Sequence, residues 1–75
     1  MKLEHFRHFN GEPFISVNHY CHKDELAPKL AKAIRSEVGA RARVVHDACG
    51  ITHVFVALGA ETAARAVAMR PEFNQ

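Results

Sequence analysis

The sequence has little of what marks specialised classes of protein. Its 75 residues include no tryptophan, two cysteines and three prolines, and the formal net charge is only +2. A charge this small does not by itself require a nucleic-acid partner. Apolar residues make up 48% of the chain, which excludes intrinsic disorder. We therefore expect residues 1–75 to fold as a single domain.

Long apolar runs are also missing. The longest, Val54 to Leu58, is much shorter than the roughly 20 residues that a membrane-spanning helix needs. The first residues, MKLEHFRHFNG, lack the apolar stretch of a signal peptide. We therefore expect a cytoplasmic protein with no membrane partner, in which Cys21 and Cys49 are free thiols.

Asn10-Gly11 lies between two strand-like segments, residues 2–9 and 13–20. Asn-Gly in this position is the strongest short signal for a β-hairpin, because both central residues of a type I′ turn need a positive φ. The first segment alternates poorly between apolar and polar residues. The alternative for it is an extended or frayed N-terminus.

The segment Asp47-Ala48-Cys49-Gly50 separates a second pair of strand-like segments, residues 41–47 and 51–58. Asp at the first position and Gly at the fourth suit a type I turn in which Gly50 is left-handed. The resulting register puts two apolar pairs on one face of the hairpin, Val44 with Val54 and Ala42 with Val56. A two-residue Cys49-Gly50 loop would mix apolar and histidine side chains on that face, so we prefer the first register.

An amphipathic helix pattern follows each hairpin. Residues 25–38 carry an apolar stripe at four-residue spacing, with Asp24 as N-cap and Gly39 beyond the C-terminus. A second helix over about residues 60–70 ends before a proline. The sequence therefore predicts an α+β fold, with a small, mainly antiparallel sheet in the order ββαββα or βαββα and both helices on one face.

The last five residues, 71–75, follow that proline. We expect them to form a loose tail of the domain, since terminal residues are poorly ordered unless something ties them down. Phe73 is the one large apolar side chain in this segment that offers an anchor.

Six histidines and two cysteines raise the question of metal or thiol chemistry. A structural zinc site needs four converging ligands, but Cys21 and His22 are adjacent and would point to opposite faces of a strand. In the preferred register His46 and His53 also face opposite sides of the sheet. Cys49 lies near both, as in a Cys–His nucleophile, but without any family signature. We therefore expect a protein without catalytic residues, bound metal or cofactor.

Five basic residues form the candidate partner-binding surface. Lys29, Lys32 and Arg35 lie on the first predicted helix, and Arg41 and Arg43 follow just beyond it. Such a surface can contact phosphates or the acidic side chains of a protein. The alternative is the solvated face of an amphipathic helix.

If both helices cover one face of the sheet, the other face is left bare. It would carry Phe55, Ile51 and Val45, with Phe14 and Tyr20 beside them. Such a mixture of aromatic and apolar residues among His and Arg is typical of binding surfaces. The sequence therefore predicts that this face binds a partner protein or a second copy of the chain in a homodimer.

In size and architecture the chain resembles the compact inhibitors of the anti-CRISPR type that phages and mobile elements encode. The features that carry the resemblance are the short length, the α/β scaffold and the absence of a catalytic motif. The resemblance implies a small inhibitor or adaptor that blocks a host complex, such as a CRISPR effector. Its partner would be another protein or a protein–nucleic acid complex. The alternative is a small nucleic-acid-binding domain, whose contact with nucleic acid would be weak.

Overall fold

In the computed structural model of this protein, residues 6–21, 25–47 and 49–74 are described. The elements are β1 (Phe6–Phe9), β2 (Glu12–Tyr20), α1 (Leu26–Glu37), β3 (Ala42–His46), β4 (Thr52–Ala57), α2 (Glu61–Ala68) and a 3-10 helix, Pro71–Phe73. The strands form one curled antiparallel sheet in the order β1-β2-β4-β3, and both helices pack on one of its faces. The predicted α+β fold is confirmed, in its ββαββα order.

The β1–β2 hairpin turns through Asn10-Gly11, as predicted. These residues have φ values of 54° and 80°, and Phe9 pairs with Glu12 across the turn. The angles fit a type I′ turn, whose twist matches that of the flanking strands. A frayed N-terminus is therefore wrong for residues 6–9, while the remainder of the predicted first strand lies outside the described residues.

The β3–β4 hairpin has the predicted register. The N–H of Gly50 donates to the carbonyl of Asp47 at 3.1 Å, and Gly50 has a φ of 83°. The apolar pairs are those expected, Ala42 with Val56 and Val44 with Val54. A slip of one residue would have moved every side chain of the slipped strand to the opposite face, so the turn decides which residues enter the core.

The main hydrophobic core lies between the sheet and the two helices. Its members include Ile15, Val54 and Val56 of the sheet, Leu30 and Ile34 of α1, and Ala64 and Val67 of α2. Burying such an aliphatic side chain contributes about 1.5–3 kcal/mol. α1 is followed by Gly39 with a φ of 75°, as expected for the residue after a helix, while its predicted N-cap Asp24 lies outside the described residues.

A β-bulge at Val17 changes which side chains of β2 face the helices. Ser16 pairs with Phe55 whereas Asn18 pairs with Val54, so β2 has one extra residue between these pairs. An extra residue reverses the alternation of side chains along the rest of a strand. Tyr20 therefore packs in the core beside the helices, and its expected place on the other face of the sheet is wrong.

The segment after α2 differs from the expected loose tail. Phe73 is only 7% exposed and belongs to the core, so it anchors this segment. The Tyr20 hydroxyl donates to the carbonyl of Phe73 at 2.8 Å and accepts from the side-chain amide of Asn18 at 3.1 Å. Burial raises the pKa of Tyr20, although the hydrogen bond from Asn18 opposes the rise.

The face opposite the helices is largely covered, because the curled sheet encloses an aromatic cluster of Phe9, Phe14 and Phe55. Phe14 and Phe55 are 3% and 1% exposed. The Phe9 ring lies edge-on to both, at centroid distances of 5.1 and 5.8 Å. The guanidinium of Arg43 lies 4.4 Å from the centroid of Phe9, and that of Arg7 lies 5.9 Å from the centroid of Phe55. The predicted bare docking face is therefore wrong at Phe14 and Phe55.

Replacing Phe55 tests whether the aromatic cluster acts as a second core. We expect Phe55→Ala to lower the free energy of unfolding by about 3–5 kcal/mol, because it leaves a cavity beneath Phe9 and Phe14. Phe6→Ala is the matched control, since Phe6 is an exposed phenylalanine, and its effect should stay within about 0.5 kcal/mol. Urea denaturation followed by circular dichroism measures both. Equal losses in the two variants would contradict this second core.

Tyr20→Phe tests the attachment of the C-terminal segment. The variant keeps the buried ring but leaves the carbonyl of Phe73 without its donor, so we expect a loss of about 1 kcal/mol in unfolding free energy. Faster removal of the C-terminal residues by carboxypeptidase should accompany this loss. Unchanged stability together with unchanged proteolysis would show that the hydrogen bond does not hold the segment.

Candidate functional site

Three of the five predicted partner-binding residues line one groove. The groove is open to solvent, has a volume of about 600 Å³ and lies between the β1–β2 turn and the start of β3. Its charged residues are Arg35, Arg41, Arg43 and Glu12, and its aromatic residues are Phe9 and Phe14. We call this feature the cationic groove.

Arg35 is held against the beginning of β3. Its Nε and one Nη donate to the carbonyl of Ala42 at 3.2 and 2.7 Å. β3 is an edge strand of the sheet, so this contact satisfies a carbonyl that no neighbouring strand reaches. A guanidinium has five N–H donors. The contact therefore positions Arg35 in the groove and leaves donors for a ligand.

Arg43 is held by the aromatic cluster. Its guanidinium lies over the ring of Phe9, at 4.4 Å from the centroid, in a cation–π contact. Stacking occupies a flat face of the guanidinium and leaves the N–H groups at its edge able to bind a carboxylate or a phosphate. The sheet thus fixes the position of this charge without using its hydrogen-bond donors.

Arg41 is largely exposed and is paired with Glu12. Its side chain is 71% exposed, and one Nη contacts the carboxylate of Glu12, which is 33% exposed. An exposed ion pair contributes only about 0–1 kcal/mol to stability, because water competes for both charges. An incoming anion can therefore replace Glu12 at small cost.

Lys29 and Lys32 are not among the residues that line the groove. Both are exposed on α1, three residues apart, and so are neighbours on the helix surface. Lys32 is also three residues from Arg35, so the basic surface predicted from the sequence continues from the groove along α1, with the two lysines outside the groove lining.

Glu12 and Phe9 are parts of the site that were not predicted from the sequence. Glu12 and Arg41 are 29 residues apart in the chain. The strand order puts the starts of β2 and β3 at the same end of the sheet, and the curl brings the β1–β2 turn towards β3. No local pattern in the sequence encodes the strand order or the curl. Opposite charge alone would not have selected this pair from the other acidic and basic residues.

A second polar array lies beside the aromatic cluster. Nδ1 of His53 lies 3.2 Å from the Ser16 hydroxyl, and its Nε2 lies 3.6 Å from a carboxylate oxygen of Asp47. Asp47 also accepts from the backbone N–H of Cys49 at 3.1 Å. That hydrogen bond, helped by His53, holds the pKa of Asp47 below its usual value against the opposing effect of desolvation. Since His53 is only 5% exposed, we interpret this array as a tie between the β3–β4 turn and β2.

The other candidate metal and thiol residues do not converge. Nδ1 of His46 lies 3.1 Å from the Thr52 hydroxyl, on the face of the sheet opposite His53. Cys21 and Cys49 are exposed, with free thiols. Among residues 6–21, 25–47 and 49–74, no group of three or more His, Cys, Asp or Glu side chains is placed to hold a metal ion. His22 lies outside these ranges.

The chain matches no protein-family model, no curated protein and no solved structure. Within the described part of the chain, neither helix is long and apolar enough to cross a membrane.

Asp47→Asn tests the second array through its pH dependence. Because the pKa of Asp47 is lowered in the folded state, its carboxylate stabilises the fold above the unfolded pKa. This contribution is lost as the pH falls through the folded value. We expect the variant to melt below the wild type at pH 7, with a difference that shrinks below about pH 4. Asparagine keeps an oxygen that can accept from Cys49, so the experiment isolates the charge.

Thermal melts between pH 3 and pH 8 measure this difference. Glu72→Gln, which removes an exposed carboxylate from the C-terminal 3-10 helix, serves as the control. A melting difference for Asp47→Asn that stays the same at pH 3 and pH 7 would refute the electrostatic tie.

Proposed function

We propose that this protein is a non-enzymatic binding module whose cationic groove binds an acidic segment of a partner protein. The observation that carries the proposal is the convergence of Arg35, Arg41 and Arg43 on one open groove. These guanidinium groups face a single carboxylate there, that of Glu12, so the groove favours an anionic ligand. The guanidinium fork matches the two oxygens of a carboxylate.

The shape of the charge distribution favours a protein partner over nucleic acid. A nucleic-acid backbone is bound by a row of cations that follows successive phosphates. Here the arginines lie together in one groove that also holds a carboxylate, and Lys29 and Lys32 lie outside it. A short acidic segment with one or two carboxylates fits this arrangement better than a long polyanion.

The chemistry of the groove supports binding rather than catalysis. Among the described residues that line it, none is a histidine, cysteine, serine or threonine. A nucleophile paired with a base is the usual requirement for covalent catalysis. The Ser16–His53–Asp47 array has suitable residue types, but its histidine is buried in the sheet and away from solvent.

The resemblance to inhibitors of the anti-CRISPR type extends the proposal to a biological role. A small domain that seats an acidic segment of a host complex, such as a CRISPR effector, would block that surface from its ordinary partner. The arginines would attract the acidic segment electrostatically, and the rest of the domain would block the surface sterically.

Neutralising the groove tests the proposal. The probe is a fluorescein-labelled octapeptide of alternating glutamate and glycine, and binding is followed by fluorescence anisotropy. We expect the double variant Arg41→Gln/Arg43→Gln to bind at least about tenfold more weakly, because each arginine loses charge-assisted hydrogen bonds. Lys29→Gln/Lys32→Gln removes the same charge outside the groove and should change the affinity by less than about twofold.

The same variants discriminate between the two partner classes. Titrations with oligo(dT) and duplex DNA at several salt concentrations give the salt slope, which is steep for a direct nucleic-acid binder. Tight DNA binding that depends equally on the lysines and the arginines, without peptide binding, would favour the nucleic-acid alternative. Equal loss of peptide binding in both double variants would remove the groove as the site.

A further inference from the structure

We infer that Glu12 is a built-in competitor for the cationic groove: its carboxylate occupies on Arg41 the position that a ligand carboxylate takes, and binding displaces it. The inference rests on the proposed function and states how binding in the groove is regulated. It also restricts the class of ligand, because the group that replaces Glu12 must match a carboxylate in charge and shape.

The Glu12–Arg41 pair occupies part of the groove itself. Both residues line the groove, and their side chains contact each other there. A ligand carboxylate that takes this Nη of Arg41 therefore has to displace Glu12. The two cannot use the same N–H groups of Arg41 at once, so their binding is mutually exclusive at that atom.

The backbone is fixed on both sides of this pair, while the side chains can move. Glu12 is the first residue of β2 and is paired with Phe9 across the turn. The carbonyl of Arg41 accepts from the N–H of Ala57 at 3.1 Å, which ties it to β4. Displacing the Glu12 carboxylate therefore needs only side-chain rotation.

The exposure of the Arg41 and Glu12 side chains determines how strongly Glu12 competes with a ligand. The Arg41 side chain is 71% exposed and that of Glu12 is 33% exposed, so water and salt screen the pair. Pairs of this kind change an equilibrium by a factor of up to about five. Glu12 therefore reduces the affinity for a ligand without preventing binding.

A second arginine–glutamate pair, Arg70–Glu37, lies outside the groove and provides a control for Arg41–Glu12. Arg70 donates to both carboxylate oxygens of Glu37, at 2.9 and 2.5 Å. Both side chains are exposed to a similar degree, at 40% and 45%. Neither residue lines the groove. Glu37→Gln thus removes a paired surface carboxylate and the same charge, while leaving the groove unchanged.

The experiment measures binding of the glutamate–glycine octapeptide to the full chain and its variants. We expect Glu12→Gln to tighten binding about three- to fivefold, and Glu37→Gln to change it by less than about 1.5-fold. In the Arg41→Gln background the gain from Glu12→Gln should largely disappear, because there is no longer an arginine to release. Circular dichroism confirms that each variant keeps the fold.

The outcomes separate this inference from the proposed function. If the peptide binds through Arg41 and Arg43 but Glu12→Gln has no more effect than Glu37→Gln, the competition is refuted and the binding module stands. The competition is also refuted if Glu12→Gln gives the same gain with and without Arg41, since the effect is then general charge repulsion. If no variant binds the peptide, Glu12→Gln included, both the competition and the proposed binding function are refuted.

Discussion

The structure depends on the contact of Phe9 with Phe14 and Phe55 across the curled sheet. Phe9 and Phe14 are diagonal neighbours within the β1–β2 hairpin. Phe9 reaches Phe55 of β4, on the far side of β2, only when the hairpin bends over the face that the helices leave uncovered. The contact gives a 75-residue chain a second buried cluster, which matters because domains of this size bury little surface. It also brings the Asn10-Gly11 turn to the start of β3, where the groove lies.

The cationic groove is a consequence of this packing. Arg43 is positioned by the ring of Phe9, Arg35 by the edge carbonyl of Ala42, and Arg41 by the strand pairing of its backbone. The guanidinium groups of Arg35 and Arg43 are therefore held by parts of the fold that would exist without any ligand, whereas only the backbone of Arg41 is fixed. Preorganised groups of this kind lose less conformational freedom on binding, which is what makes a few charges sufficient for recognition.

Local signals in the sequence were enough to predict both hairpins and both helices. The Asn10-Gly11 and Asp47–Gly50 turns fix their strands' registers through a few residues of defined backbone angle, so the predicted pairs of β3 and β4 are those observed. The bulge at Val17 and the curl of the sheet depend on packing between distant residues and were missed. Alternation correctly placed Phe55 on the face away from the helices, but it carried no information on what covers that face. For the same reason Arg41 was recognised as a candidate while its partner Glu12 was not.

A comparison of Arg41–Glu12 with Arg70–Glu37 shows that exposed arginine–glutamate pairs of this protein differ in how firmly they are held. Arg70 binds Glu37 through two nitrogens and links the end of α1 to the segment that Phe73 anchors, so exchanging this carboxylate would break a contact between two parts of the fold. This bond, more than nearby charge, lowers the pKa of Glu37 and raises that of Arg70. Arg41 contacts Glu12 through one nitrogen and keeps most of its side chain in solvent. Of these two arginines, Arg41 is thus the one that can change partner without disturbing the packing around it. Arg41 can exchange its carboxylate partner, while Arg35 and Arg43 beside it are fixed in position. This arrangement is suited to reversible binding of an acidic segment.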